Sequence, residues 1–440
     1  MAAVTTEGTA AAWAAALAQV IDAAHLSAGE QMSVMVDAAV RPLGLTAELF
    51  MVDLGQHTLT PVTLDTDGRL DVDATLAGRC YQLGEILPGT GHDGERVLWV
   101  PVLDGSDRAG VLRVGLDHTD DHAGDPVDGQ TYGAGRGGDG AADGVEDGAE
   151  LRRWLWTFAG LVGHILMAKL VYSDHLRRIR AGTSLSQASE LLWQLLPPRT
   201  FATERVVVSA LLEPHADVAG DAYDYNVERD VIDLAVFDAA GHDLQAGLTT
   251  AVAITAVRNA RRAEKTDLLA IAAQVDDVIA TRPGLQFATA VLARLDTTTG
   301  MMDYLIAGHP APLLLRAGTV VKELGAAPRV PLGVIISGAS PGQVGREQLE
   351  PGDWLLFYSD GIVEARDENG EFFDEQRLIE LLERAAAGHL SAPETLRRLT
   401  AAVLGHQGGV LQDDATLLLV EWSPTAHLRM FPTLDEHDTG

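Results

Sequence analysis

Apolar positions recur with a helical period over residues 10–44, where Val20, Ile21 and Leu26 are followed by a stripe of Met32, Val34, Met35 and Val40. Short β-like runs then predict strands at Thr46–Asp53, Thr58–Leu64, Arg96–Leu103 and Ala109–Leu116. Between the last two, Asp104-Gly105-Ser106-Asp107 supplies hairpin-turn chemistry. From Leu151 to Leu196 the period is helical again. Leu155, Phe158, Leu161, Val162, Ile165, Leu166 and Leu170 form one face, which Leu185, Ala188, Leu191, Leu192 and Leu195 continue. Pro197-Pro198 ends it, because proline lacks the amide donor and restricts its predecessor. Gly182 interrupts it, which leaves two helices or a hinge open.

Beyond Arg205 the pattern turns to strands. Candidates are Arg205–Leu212, Val231–Phe237, Phe287–Leu295, Met301–Ala307, Ala311–Arg316, Trp354–Tyr358 and Ala415–Glu421. Helical blocks interleave at Leu244–Ala263, Asp267–Ala280, Asp374–Ala387 and Ala392–Leu404. Residues 423–440 read as a flexible tail.

Composition sharpens this picture. At 440 residues the chain is too long for one ordinary core, so two or three domains are expected. The stretch from Asp117 to Glu150 holds ten acids, nine glycines and one arginine, and is expected to be disordered. The formal net charge of −31 speaks against a nucleic-acid or anionic-membrane surface. One cysteine, Cys80, excludes an internal disulfide and reads as a small buried residue. Trp154–Ala168 is apolar but shorter than the roughly 20 residues a bilayer needs, so a buried or interfacial helix is expected there. The N-terminus has no basic secretory n-region, and a cytoplasmic location is expected.

The candidate chemistry is acidic. Asp221 lies in ADVAGDAYDY, Asp238 directly follows VIDLAVF, Asp360 follows LLFYS, and Asp413 and Asp414 precede ATLLLVEW. An aspartate beside a strand and a glycine is commonly a turn residue, and a solvated acidic rim is the bland alternative. Several such junctions in one segment suit hard divalent cations, which take carboxylate oxygens, and a sheet can fix their spacing. Gly220, Gly241 and Gly361 beside them permit tight turns and close backbone approach.

Residues 195–422 resemble the bacterial metal-dependent, type 2C-like protein phosphatases of the SpoIIE kind. The strings that carry the resemblance are LLPPR, VAGDAYDY, FDAAGH, FATAVLARLD, AGHPAPLLL, LEPGDWLLFYSDGIVEARDENGEFF and DDATLLLV, in the family's order. The resemblance implies an α-β-β-α sandwich that hydrolyses phosphoserine or phosphothreonine with two Mn²⁺ or Mg²⁺ ions. It implies that Asp238 bridges the ions, that the Ala239 carbonyl binds one, and that Asp360 and Asp413 hold one. Asp221 then contributes at the other side or through water. An activated water, rather than a side chain, is the implied nucleophile. Asp413 is preferred over Asp414 because the family's ligand stands three residues before the threonine, here Thr416.

The chain departs from the family pattern at two places. Ala219 replaces a usual glycine, and Asp243 replaces the glycine that ordinarily follows His242, adding a carboxylate near the site. His242 is either a general acid or a structural turn residue, and His309 is expected to be packed and hydrogen-bonded at a strand end. Arg258, Arg261 and Arg262 are expected on a solvated helix face with Glu264.

Residues 10–175 resemble a GAF-type sensory domain through GRCYQLGEIL and RVLWVPVLDGSDRAGVLRVGL. The expected organisation is α+β: a GAF-like α/β domain over 10–175 with the acidic insert 117–150, a helical linker over 176–198, the phosphatase sandwich over 199–422, and the tail. The expected partner is a phosphorylated regulatory protein of the anti-sigma-antagonist type, without nucleic acid or membrane, and with a homodimer formed through the linker. The alternatives are a pseudo-phosphatase that binds phosphoproteins without turnover, and a two-metal nuclease or nucleotide hydrolase, which the acidic charge disfavours.

Overall fold

The computed structural model describes residues 6–64, 67–91, 94–116, 140–182, 185–213, 220–241, 243–327, 329–409 and 411–430. The chain divides into two compact units, residues 1–182 and 183–440.

In the first unit the alternating runs form one antiparallel sheet of β1 (Leu45–Val52), β2 (Thr58–Pro61), β3 (Leu70–Asp71), β4 (Leu87–Thr90), β5 (Arg96–Asp104) and β6 (Asp107–Leu116). The strand order is β3-β2-β1-β6-β5-β4. The β5–β6 hairpin closes with Asp104 opposite Asp107, over a turn in which Gly105 takes φ 58°. Side chains alternate across the sheet as the pleat requires. Leu49 and Met51 face the helices α1 (Thr6–Leu26), α2 (Met32–Val40) and α4 (Gly140–Leu170). Phe50 and Val52 face α3 (Leu76–Leu83), which brings Cys80 and Tyr81 into a second, smaller core.

The apolar stretch Trp154–Ala168 lies within α4, with Leu155, Phe158, Val162 and Leu166 fully buried in the unit's own core. No single helix among the described residues is long and apolar enough to cross a membrane. Of the expected acidic insert, residues 117–139 lie outside the described residues, and the backbone of 140–150 opens α4.

The helical stretch to Leu196 is three helices: α4, α5 (Asp174–Ala181) and α6 (Gln187–Leu195). Gly182, at φ 71°, ends α5. Leu176 and Ile179 of α5 are buried in the first unit, whereas Ala188 and Leu192 of α6 are buried in the second.

The second unit stacks two antiparallel sheets between helix pairs. One sheet runs β15-β12-β11-β10-β9, from β9 (Asp221–Glu228), β10 (Val231–Ala239), β11 (Ala288–Asp296), β12 (Met301–Ala307) and β15 (Gly345–Gln348). The other runs β14-β13-β16-β17-β8-β7, from β7 (Thr200–Ala202), β8 (Val206–Glu213), β13 (Leu313–Arg316), β14 (Thr319–Glu323), β16 (Asp353–Tyr358) and β17 (Ala415–Trp422). Strands covered on both faces read as continuous apolar runs, as in VVVSALLE and ATLLLVEW.

Val208, Ala210, Leu234, Val236, Leu418 and Val420 meet between the sheets. Ala235 and Phe237 face outward onto α7 (Leu244–Arg262) and α8 (Leu268–Ala280). Leu417 and Leu419 face α10 (Glu375–Ala387) and α11 (Ala392–His406). This is the expected α-β-β-α sandwich. The tail expected to be loose from residue 423 is ordered as far as Met430, because Ala426 and Met430 are buried in the outer core beside β17.

Candidate metal-dependent active site

The acids meet at one end of the sandwich, and each sheet contributes a pair. In the first sheet β9 opens at Asp221 and β10 ends at Asp238-Ala239, with Asp221 and Asp238 directly opposite in the ladder. Asp221 therefore begins a strand, which the irregular run before it conceals in the sequence. In the second sheet the loop after β16 and the residues before β17 are tied together. The Ser359 amide donates to the Thr416 carbonyl at 3.0 Å, and the Thr416 amide donates to Ser359 Oγ at 3.0 Å. Asp360 then opens the short helix α9 (Asp360–Val363) beside Asp413 and Asp414. Gly361 is required there, since a Cβ would stand 2.0 Å from the Asp414 carbonyl oxygen.

Asp414 joins the two sheets. Its Oδ2 accepts from the amides of Gly220 at 2.8 Å and Asp221 at 3.3 Å, so this buried carboxylate positions the start of β9. Asp413, by contrast, is exposed, and its Oδ1 accepts from the amide of Asp414 at 2.9 Å. Gly220 also lies against Ala239, where a Cβ would stand 3.0 Å from the carbonyl oxygen, and the Gly220 carbonyl accepts from Thr250 Oγ1.

The carboxylates oppose one another's ionisation. Burial, then the charges of Asp238 and Asp414, hold Asp221 well above the ordinary aspartate range, against hydrogen bonds from Ser359 and Thr416. Asp238 is pushed up to about 7 by burial and by Asp360, Asp413 and Asp414. Asp360 is raised by burial, then by Glu364 and Asp413. Asp221 Oδ2 is buried without a hydrogen-bond partner. Like charges crowded in this way are costly unless a cation is shared among them. In kind, carboxylate oxygens beside a backbone carbonyl are the donors a hard divalent ion takes. In spacing the set is open: among the described residues no three His, Cys, Asp or Glu side chains are gathered closely enough to hold one metal ion.

Residues 228–423 match the family described as Stage II sporulation protein E (SpoIIE), a span that begins at the end of β9 and includes Asp238, Asp360 and Asp413. The second unit carries a SpoIIE-family, PPM-type phosphatase domain. Asp221 lies just ahead of the matched span of this SpoIIE-type domain. The chain is 25% identical to protein IcfG of Synechocystis sp. over 54% of its own length and 41% of the relative's. It is also 25% identical to the phosphoserine phosphatase RsbU of Bacillus subtilis, over 57% of this chain and 75% of RsbU. It therefore spans well under half of one of these relatives. Among solved structures, the SiaA PP2C domain of Pseudomonas aeruginosa is similar at a TM-score of 0.44 and 24% identity, covering 49% of this chain and 85% of that one.

Three further residues stand differently from the sequence reading. Asp243 is not a carboxylate turned to the cluster but the N-cap of α7, accepting from the amides of Gln245 at 2.9 Å and Ala246 at 3.1 Å. Gly241, at φ 91°, makes the turn that places it. Arg258 and Arg261 do not line a solvated face with Glu264; both bind the fully buried Asp224 of β9, each at 2.7 Å. His242 and Ala219 lie outside the described residues.

Sequence reasoning missed Asp414 as the tie between sheets, Ser359 and Thr416 as the struts of the loop, and Thr289 opposite Asp238 on β11. The signal for Thr289 was its place in FATAVLARLD, the strand that neighbours the Asp238 strand.

Proposed function

We propose that the SpoIIE-type domain is a metal-dependent protein serine/threonine phosphatase acting on a phosphorylated regulatory protein, of the kind represented by anti-sigma-factor antagonists. The name of the relative RsbU, a phosphoserine phosphatase, supports the substrate class. Two Mn²⁺ or Mg²⁺ ions would be held by Asp221, Asp238, the Ala239 carbonyl, Asp360 and Asp413. When bound, divalent ions supply an acidified water and positive charge for the phosphoryl oxygens. Asp238, central among the carboxylates that act on it, is the natural shared ligand, and burial keeps its competing water few. Asp414 holds β9 in register so that Asp221 faces Asp238. Asp360 and the exposed Asp413 are the members free to adjust as a phosphoester arrives.

The observation that carries this reading is the convergence of acids from four separate strand ends whose mutual repulsion asks for a shared cation. Manganese-dependent hydrolysis of p-nitrophenyl phosphate and of a phosphoserine peptide, absent in Asp238→Asn, is the expected result. Metal-independent hydrolysis, or full activity in that variant, overturns it. A second reading, a phosphoprotein-binding module without turnover, is favoured by the open spacing of the carboxylates. Tight binding of the phosphopeptide with no hydrolysis at saturating Mn²⁺ would establish it instead.

The first unit, resembling a GAF domain, would receive the controlling signal and pass it through residues 176–198. Homodimerisation through that segment, in the cytoplasm, belongs to the same proposal and is checked by sedimentation of the full chain.

A further inference from the structure

Asp238 has a neighbour on its other side that the metal-ligand assignment does not use. Thr289 stands directly opposite it across the β10–β11 ladder, where its hydroxyl lowers the Asp238 carboxyl against burial and the neighbouring charges. The same hydroxyl oxygen lies 2.7 Å from Nδ1 of His309, which follows β12 and is 6% exposed. The other ring nitrogen, Nε2, is buried with no hydrogen-bond partner within range, although the Tyr358 backbone faces the ring. Burial pushes His309 down to about 4, so the imidazole is neutral at physiological pH.

The count of donors and acceptors ties the ring tautomer to the direction of the Thr289 hydroxyl. A neutral imidazole has one N–H and one lone-pair nitrogen, and a hydroxyl has one proton to give. If Thr289 donates to the Asp238 carboxylate, it must accept from His309, which places the proton on Nδ1 and leaves Nε2 as the bare acceptor. We propose that His309 and Thr289 are positioning residues that orient Asp238 through a one-way hydrogen-bond relay from imidazole to hydroxyl to carboxylate. The relay is a property of the chain itself; only its consequence for metal binding rests on the phosphatase reading.

Partners that orient a ligand typically change metal affinity by about 10- to 100-fold when removed. In the full-length protein, calorimetric titration with Mn²⁺ should show Thr289→Val binding weaker by about that factor. Thr289→Ser, which keeps the hydroxyl, should bind within about threefold of the parent. His309→Leu should match Thr289→Val, and His309→Asn, whose amide can still donate, should fall between, which keeps the test available if Thr289→Val does not fold. Nitrogen-15 spectra of labelled histidine, assigned by the signal lost in His309→Asn, should report a neutral Nδ1–H tautomer in the metal-free protein that shifts in Thr289→Val. Parental Mn²⁺ affinity in folded Thr289→Val, failure of serine to restore it, or an Nε2–H tautomer each overturns the relay. Absence of Mn²⁺ binding in the parent itself would remove the phosphatase reading, while the tautomer and its response to Thr289→Val would still decide whether the relay exists.

Discussion

The buried cations of the first unit and the strand-end acids of the second are treated in opposite ways. In the first, buried cations are tethered to backbone carbonyls: Lys169 Nζ donates to Ala24 at 2.8 Å and Ser27 at 2.5 Å, Arg180 to Val52 at 3.0 Å, and Arg108 to Gln82 at 2.6 Å. Ala24, Ser27 and Gln82 lie in or just past the last turn of a helix and Val52 ends β1, places where carbonyls run short of backbone partners, so the charge closes the fold. Much of the second unit follows the same logic with ion pairs, as where Glu394 holds Arg397 and Arg398, or Asp353 holds Arg316. The strand-end acids depart from it. The charges that act on Asp221, Asp238 and Asp360 are other carboxylates, and one buried oxygen is orphaned. Satisfied burial marks architecture; unsatisfied burial marks a place kept ready for something else.

This contrast can be broken from either side. The largest effect is expected in Asp238→Asn. Hydrolysis should fall by about a thousandfold or more, roughly 4 kcal/mol in the barrier. Scanning calorimetry should show metal-free thermal stability unchanged or higher, because a repelling charge has gone. Lys169→Met should do the reverse, lowering unfolding free energy by about 2–3 kcal/mol as the Ala24 and Ser27 carbonyls lose their donor. Denaturant titration reads this, with turnover per folded molecule retained.

A pH series sharpens the point. Folded Asp238 holds its proton to about pH 7, whereas an unfolded aspartate releases it near 4. Between those values the folded state binds more protons, so metal-free stability falls as pH rises from about 4 to about 7 and stays lower above. Melting temperatures across this range should slope downward, slope less steeply in Asp238→Asn because Asp221 and Asp360 still titrate high, and flatten in the parent on adding Mn²⁺. The smallest effect, about 1 kcal/mol, is expected for Tyr225→Phe, which removes a 2.8 Å hydrogen bond to the Pro198 carbonyl.

Much of this was legible in the sequence. The runs VIDLAVF, LLFY and ATLLLVEW announce strands, and their flanking acids Asp238, Asp360, Asp413 and Asp414 stand out by position, whereas preferring Asp413 to Asp414 rests on the family resemblance. Edge strands were harder. Gly345–Gln348 reads GREQ and pairs with β12 through its backbone and the Arg346–Asp303 ion pair, so no apolar pattern announces it. Long-range partners were not readable: nothing local tells Asp224 that its counter-charges lie on α7, at Arg258 and Arg261. Nor does local spacing show that Ala426 and Met430 return to the core. Asp243 misled because a capping carboxylate and a ligand carboxylate look alike until the backbone amides that receive it are known.

Three carbonyls just before the sandwich are fastened to it, two by tyrosines of the strand that begins with Asp221 and one by an arginine of α7. Leu195 accepts from Arg258, Pro197 from Tyr223 and Pro198 from Tyr225. Cutting the polypeptide at residue 199 would strip off all three acceptors, loosening both phenols and leaving Arg258 with Asp224 but without the Leu195 carbonyl. An excised catalytic fragment that keeps its native footing must therefore begin upstream of Ser186, whose hydroxyl caps the last helix before the prolines.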